Sequence, residues 1–406
     1  MKRTNYLVKI LSVSISVVLL TQLTSCNKDK EIEIKVPENA IVLSSEGTAN
    51  CYIVTPGTTS TIDARYKGNS QTELVGNIAS ASIVWQDKPS LVTDIYYVPT
   101  TGNIVFTTGN SKGNALIAAK DENNRILWSW HLWIVDYDPS KSLYTTPENA
   151  SGTTWQFMDR NLGAISTAKE GFDSHGLIYQ WGRKDPFTAA QTYTIINEDY
   201  SYQVDGEAIL FDGTNLELPA TRMTKEYHGT IEKSIANPTV YYAMTYVATG
   251  EVDEYGQEVY INDYRTKDWV DVSNDDYWGG VSGKKTIYDP CPVGYKVPTC
   301  DADGNTPYAW LKYAEMTWDT ENFGANQNGQ WFPAAGTRVY ASGGLDFPDK
   351  NPYGGMWIGT AGKASSNPEM YPELYGQYMF IINGRRTFKV SKDARSQGMS
   401  LRCVKE

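Results

Sequence analysis

Few residues in this sequence are spaced for catalysis. Its three histidines, His131, His175 and His228, lie far apart, and no Cys-x-x-Cys, P-loop or His-Glu-x-x-His pattern occurs. Zinc ligation and phosphate cradling therefore have no sequence support. Asp301-Ala-Asp-Gly-Asn305 places carboxylates at the first and third positions of an EF-hand-like loop. Its Gly304 falls two residues early and Lys312 stands where the bidentate Glu belongs, so a polar turn is expected and no metal. Asn274-Asp275-Asp276 reads as a solvated loop. Asp159-Arg160-Asn161 is the best-marked polar trio, able to form a charge-assisted pair that holds a loop, or to grip a ligand. That trio, with the aromatic residues Tyr277, Trp278 and Trp357, makes up the expected binding residues. Carboxylate pairs for glycoside cleavage are defined by separation in space, which 47 acids in a sequence do not reveal. No catalytic residue and no cofactor is assigned, and the expectation is that the chain is not an enzyme.

The elements that position these residues follow an export segment. Lys2, Arg3 and Lys9 precede an apolar run from Ile10 to Leu20, and Leu23-Thr-Ser-Cys26 follows. Basic, apolar and small-residue regions in that order read as a secretory signal over 1–25. The run is too short to span a ~30 Å hydrocarbon core. The cysteine after Leu-Thr-Ser resembles the lipobox of bacterial lipoproteins, which implies acylation of Cys26 and anchorage to the outer membrane. Residues 26–40 then read as a lipidated tether whose charges, from Lys28 to Glu31, resemble a Bacteroidetes surface-export signal. The whole chain carries a net charge of −11, and the export segment holds three cations and no acid. Such an acidic protein does not suit nucleic acid, whose phosphates demand a basic footprint.

With Cys26 acylated, Cys51, Cys291, Cys300 and Cys403 remain. An oxidising compartment permits disulfides, and four cysteines allow three pairings. Cys51 lies in an apolar strand pattern and reads as a buried thiol.

With 41% hydrophobic and 20% charged residues the chain is globular. From 41 to 139 short apolar segments alternate with turn residues: Ala49–Val54, Ser82–Trp85, Ile95–Val98, Asn103–Thr107, Asn114–Ala119 and Arg125–Val135. That rhythm predicts an antiparallel β-sandwich. In the last segment one parity is Ile126, Trp128, Trp130, Leu132 and Ile134, the buried face. The other parity, with Ser129 and His131, predicts a partly covered face. Asp138-Pro139 breaks the run, and 140–152 reads as a linker. The remainder, 153–406, predicts a larger loop-rich α+β domain, with a short helix over Pro307–Tyr313 and loops and hairpins from Thr192 to Trp278. The fold class is thus mainly β with some α.

Two stretches resemble known families. Ala49-Asn-Cys-Tyr-Ile-Val54, Gly113-Asn-Ala-Leu-Ile-Ala118 and Ile126-Leu-Trp-Ser-Trp-His131 resemble a fimbrillin-like module of Bacteroidetes surface lipoproteins. Met158-Asp-Arg-Asn-Leu-Gly-Ala164, Tyr179-Gln-Trp-Gly-Arg183, Cys291-Pro-Val-Gly-Tyr-Lys-Val-Pro298, Phe332-Pro-Ala-Ala-Gly-Thr-Arg338 and Leu401-Arg-Cys-Val404 resemble the FISUMP (major paralogous) domain. The resemblance implies a C-type-lectin-like scaffold, and two of its motifs hold Cys291 and Cys403, which it implies are paired. Their disulfide would close a loop of about 113 residues, worth ~4–5 kcal/mol in the chain-entropy model. The tail Ala394–Cys403 is similar to that of formylglycine-generating enzymes, but no cysteine lies between Met356 and Arg402 to supply their reactive pair. Neither family brings a defined activity; a lipid anchor, a β-sandwich spacer and a loop-rich tip together lead to the expectation of a surface-anchored adhesin or fimbria-associated subunit, with a surface glycan or fimbrial protein as partner. The alternative is a glycan-binding lipoprotein of a nutrient-uptake system, with an extracellular enzyme as the least favoured reading. An exposed row of aromatics would favour glycans, and a displaceable edge strand would favour assembly by strand addition.

Overall fold

Trp133 and Leu132 are neighbours in one strand, yet they enter two different apolar clusters. Side chains alternate between the faces of a strand, so this strand is buried on both sides and forms the middle of three layers.

The computed structural model describes residues 34–148, 152, 154–191, 208–218, 222–224, 229–242, 246–262, 268–300, 316–340, 342–346, 353–362, 375–384 and 389–406. Cys26, the segment expected to direct export, His228, the Asp301–Asn305 cluster and the helix expected over Pro307–Tyr313 lie outside the described residues.

Eight strands build the first two layers: β1 (Ile41–Val42), β2 (Cys51–Val54), β3 (Thr59–Asp63), β4 (Ser80–Gln86), β5 (Val92–Val98), β6 (Asn103–Thr108), β7 (Gly113–Lys120) and β8 (Ile126–Ile134). One sheet runs β1-β3-β6-β5, and the facing one contains β4-β7-β8-β2. Between them Ile62, Ile104 and Phe106 meet Ile117, Trp128, Trp130 and Leu132. The expected β-sandwich is present, with one correction. β1 pairs with β3 and β2 with β8 in parallel, not antiparallel. No hairpin joins either pair, so no tight turn fixes their direction, whereas consecutive β7 and β8 are antiparallel.

The later chain forms the third layer. β9 (Tyr144–Thr145) and β10 (Gln156–Phe157) pair across the expected linker, and β10 also pairs with the C-terminal strand Val404–Lys405. β11 (Leu177–Gln180) and β12 (Phe187–Thr188) belong to a mixed sheet with Gly398–Ser400, Tyr353–Gly362, Tyr375–Ile382 and Lys389–Ala394. A hairpin, β13 (Leu210–Phe211) and β14 (Glu217–Leu218), returns to extend the edge of the sandwich at β4. Gln86 Nε2 donates to the carbonyl of Asp212 there, at 3.0 Å.

Ile231–Ala236 (α1) falls where only loops and hairpins were expected, and Thr230 caps it by accepting the Lys233 amide at 3.0 Å. Its single apolar-polar turn is too short to register as a helical period. Lys35–Glu406 forms one compact unit. Cys51, Trp85, Leu116 and Trp133 of the sandwich share a core with Met158, Trp181, Trp278 and Trp357 of the later chain. This covering also buries Ser129 and His131, which were expected on a partly covered face and are 0% and 2% exposed.

Candidate functional site

The motif residues are mostly spent on holding loops together. Arg160 grips Asp159 through two hydrogen bonds of 2.7 and 3.0 Å, and its guanidinium lies 3.9 Å over the Tyr137 ring. Burial pushes the Asp159 carboxyl up, but the Arg160 hydrogen bonds and charge bring it net below its ordinary value. Asn161 is fully buried, donates to the His175 carbonyl at 3.1 Å and accepts from Arg402 Nε at 3.1 Å. Arg402 in turn donates to the Trp331 carbonyl. The trio is a brace between the chain start of this layer and its C-terminal tail.

The expected aromatic contacts are core residues. Trp278 and Trp357 are 1% and 0% exposed, and Tyr277 is buried beside them. Trp181 packs against Trp278 with ring centroids 5.8 Å apart. Each indole N–H is satisfied by backbone: Trp357 donates to Tyr179, Trp181 to Ile358, and Trp278 to Tyr288. Gly376 allows this packing, because a Cβ there would meet Trp181 at 2.6 Å and Trp357 at 2.8 Å. Residues 193–202 and parts of 260–278 and 340–357 lie outside the described residues. Among the described residues Tyr255, on the hairpin of Tyr246–Val252 with Glu258–Asn262, is a fully outward aromatic at 80% exposure.

Cys291 and Cys403 form the disulfide, with Cα atoms 6.0 Å apart, and Cys51 is a buried thiol. The bridge fixes the C-terminal strand beside Tyr295–Lys296, with which it also pairs.

Two arrangements escaped the sequence. Lys184 Nζ contacts Asp185 Oδ1 at 2.7 Å and Ser129 Oγ at 2.6 Å, while Ser129 Oγ donates to the same carboxylate at 2.7 Å. A serine beside a lysine is a nucleophile–base pattern, but these residues are 0–4% exposed and no substrate reaches them. The group joins β8 to the later chain as a buried ion pair. Its signal was present in the polar Ser129 of β8 and the adjacent Lys184-Asp185, though nothing linked them. Gly109-Asn-Ser-Lys-Gly113 has nucleophile-elbow spacing, yet it forms the turn between strands β6 and β7 and no helix follows Ser111.

The second arrangement is a cavity of about 220 Å³ between the sandwich and the later chain, lined by Asp87, Lys88, Asn114, Phe172, Asp173 and His175 among others. Asp87 Oδ2 accepts from Asn114 Nδ2 at 3.0 Å, and the same amide donates to the Gly163 carbonyl. Burial raises the Asp87 carboxyl to about 6, with Asn114 and Lys88 pulling it down and Asp173 pushing it up. Burial lowers His175 to about 4, and His131, hydrogen-bonded to Asn114 Oδ1 at 3.0 Å, to about 3. Among the described residues no three His, Cys, Asp or Glu side chains are grouped to hold a metal ion.

Comparison of the chain with family models, curated proteins and solved structures finds no match.

Proposed function

We propose that this chain is a lipoprotein anchored through Cys26 at the outer membrane, facing the cell surface, and that it acts without catalysis as an adhesin or fimbria-associated subunit. The observation that carries the reading is β1. This strand pairs with β3 over only two residues, Ile41 with Ser60 and Val42 with Thr61. Its side chains are 45% and 50% exposed, and it follows directly on the tether. So short an edge strand is easily displaced, and its departure opens the β3 edge to a strand from another subunit. The FISUMP-like motifs support a C-type-lectin-like scaffold presented on the sandwich; their Arg183, Arg338 and Arg402 are buried and donate to backbone carbonyls.

The test uses the chain without its leader, compared with the same chain starting at Ser44. Loss of β1 should produce self-association in sedimentation and saturable binding of a peptide covering residues 36–46, while the longer chain stays monomeric. A shortened chain that remains monomeric and ignores the peptide would overturn the strand-addition reading. The anchor is tested separately: Cys26→Ser should move the protein to the soluble fraction in a lipoprotein-processing host, and retention after high-salt washing would refute it.

A second reading, glycan binding, draws support from the polar cavity edged by Phe172. A glycan array on the soluble chain separates the two.

A further inference from the structure

We propose that the cavity between β4, β7 and the Phe172–Leu177 segment is a binding site for a small ligand bearing a primary ammonium group. The site is concave and drawn from separate stretches of chain: Asp87 and Lys88 follow β4, Asn114 opens β7, and Phe172, Asp173 and His175 come from the covering layer. At about 220 Å³ it is smaller than the ~300–1,000 Å³ that drug-sized ligands occupy. One short chain or one sugar ring fills it.

The charge of the site sets the ligand class. Asp87 stands half-buried on one wall and Asp173 exposed at the rim, close enough for each to feel the other's charge. Among the described residues the one cation on the lining, Lys88, directs its Nζ to the carbonyl of Lys112 at 2.7 Å. Asp87 Oδ1 is buried and has no hydrogen-bond donor among the described residues, and Asn114 is fully used by Asp87, Gly163 and His131. His175 is held neutral by burial, so it offers no positive charge. A partly desolvated carboxylate without an ion-pair partner favours a cation that brings its own hydrogen-bond donors. Phe172, also on the lining, adds apolar surface for the adjoining carbons. An anionic ligand would meet two carboxylates, and a neutral one would leave Asp87 uncompensated.

Two sources share this chemistry, an amino sugar and an alkylammonium chain such as a lysine side chain, and paired probes distinguish them. Titration calorimetry and carboxyl NMR on the whole soluble chain would use glucosamine against N-acetylglucosamine, and n-butylamine against n-butanol. The amine of at least one pair should bind about tenfold or more tightly than its neutral partner, and the Asp87 carboxyl should titrate at lower pH when the amine is bound. Asp87→Asn should lose about tenfold in amine affinity. Asp173→Asn, at the exposed rim, should lose a smaller factor without touching the fold. Equal binding of charged and neutral partners, no saturable amine binding, or an Asp87 titration indifferent to the amine would each overturn the proposal. These outcomes do not bear on strand addition, which is read by self-association.

Discussion

Trp133 on β8 donates its indole N–H to the carbonyl oxygen of Ala164, 3.0 Å away. One residue belongs to the sandwich and the other to the layer that covers it. Both are fully buried, so this hydrogen bond lies inside the shared core. The sandwich and the later chain are held by the same apolar packing.

Trp133→Ala should therefore destabilise the whole unit, by about 3–5 kcal/mol, the range for removing a buried Trp. Trp133→Phe keeps most of the packing but orphans the Ala164 carbonyl, at ~1–3 kcal/mol. Urea unfolding followed by both fluorescence and circular dichroism gives the values. A single coincident transition is expected, and two separate ones would contradict the shared core.

The Cys291–Cys403 bridge closes a segment of separation 112. Replacing both cysteines with serine should lower stability by about 4–5 kcal/mol in the chain-entropy model. Non-reducing peptide mapping should recover these two residues in one linked pair. Recovery of Cys300 joined to Cys403 would contradict the structure.

Asp87 gives the stability a dependence on pH. Burial raises its carboxyl from an ordinary 3.8 to about 6, so the folded state holds the proton more tightly than the unfolded state. Its contribution is full below the ordinary value and is lost as pH rises through about 6. Asp289, also raised to about 6 by burial, acts in the same direction. His131 and His175 act oppositely: lowered by burial to about 3 and 4, they contribute above their ordinary value and lose it as pH falls. The difference between the wild type and Asp87→Asn isolates one group. Between pH 4 and 7 the wild type should lose on the order of 1–2 kcal/mol relative to the variant. Parallel stability profiles for the two proteins would exclude this role.

Proteolysis probes the segment expected as a linker. Pro147 and Glu148 are exposed, as is Gly152, and exposed polar backbone is where nicking concentrates. Mild digestion should cut between 136 and 156 and yield a fragment beginning near Thr153. Because Trp85, Trp133 and Trp181 share one core, the two pieces should co-elute under native conditions and separate only in denaturant. Pieces that part without denaturant would show two independently packed domains.

The alternating apolar segments between 41 and 139 made the sandwich strands legible, and one face of β8 was readable residue by residue, because a period of two is a local property. Two of its strands were not anticipated. Thr59–Asp63 offers a single large apolar residue, Ile62, and Ile41–Val42 is too short to show a period. The Asp159–Arg160 pair was legible because its partners are adjacent in sequence. The grip of Asn161 on Arg402 was not, since its partners stand 241 residues apart.

The sequence by itself determined the mainly β class, the acidic net charge and six of the eight sandwich strands. Each follows from composition or from spacing within a dozen residues. Only the tertiary structure decided that His131 is buried, that Tyr277, Trp278 and Trp357 are core, that Ser129, Lys184 and Asp185 form one buried group, and that Asp87 and Asp173 edge a common cavity. A side chain's exposure depends on what covers it. Here the cover arrives from chain segments dozens to hundreds of residues away, so no local pattern encodes which polar residues end inside and which remain to meet a ligand.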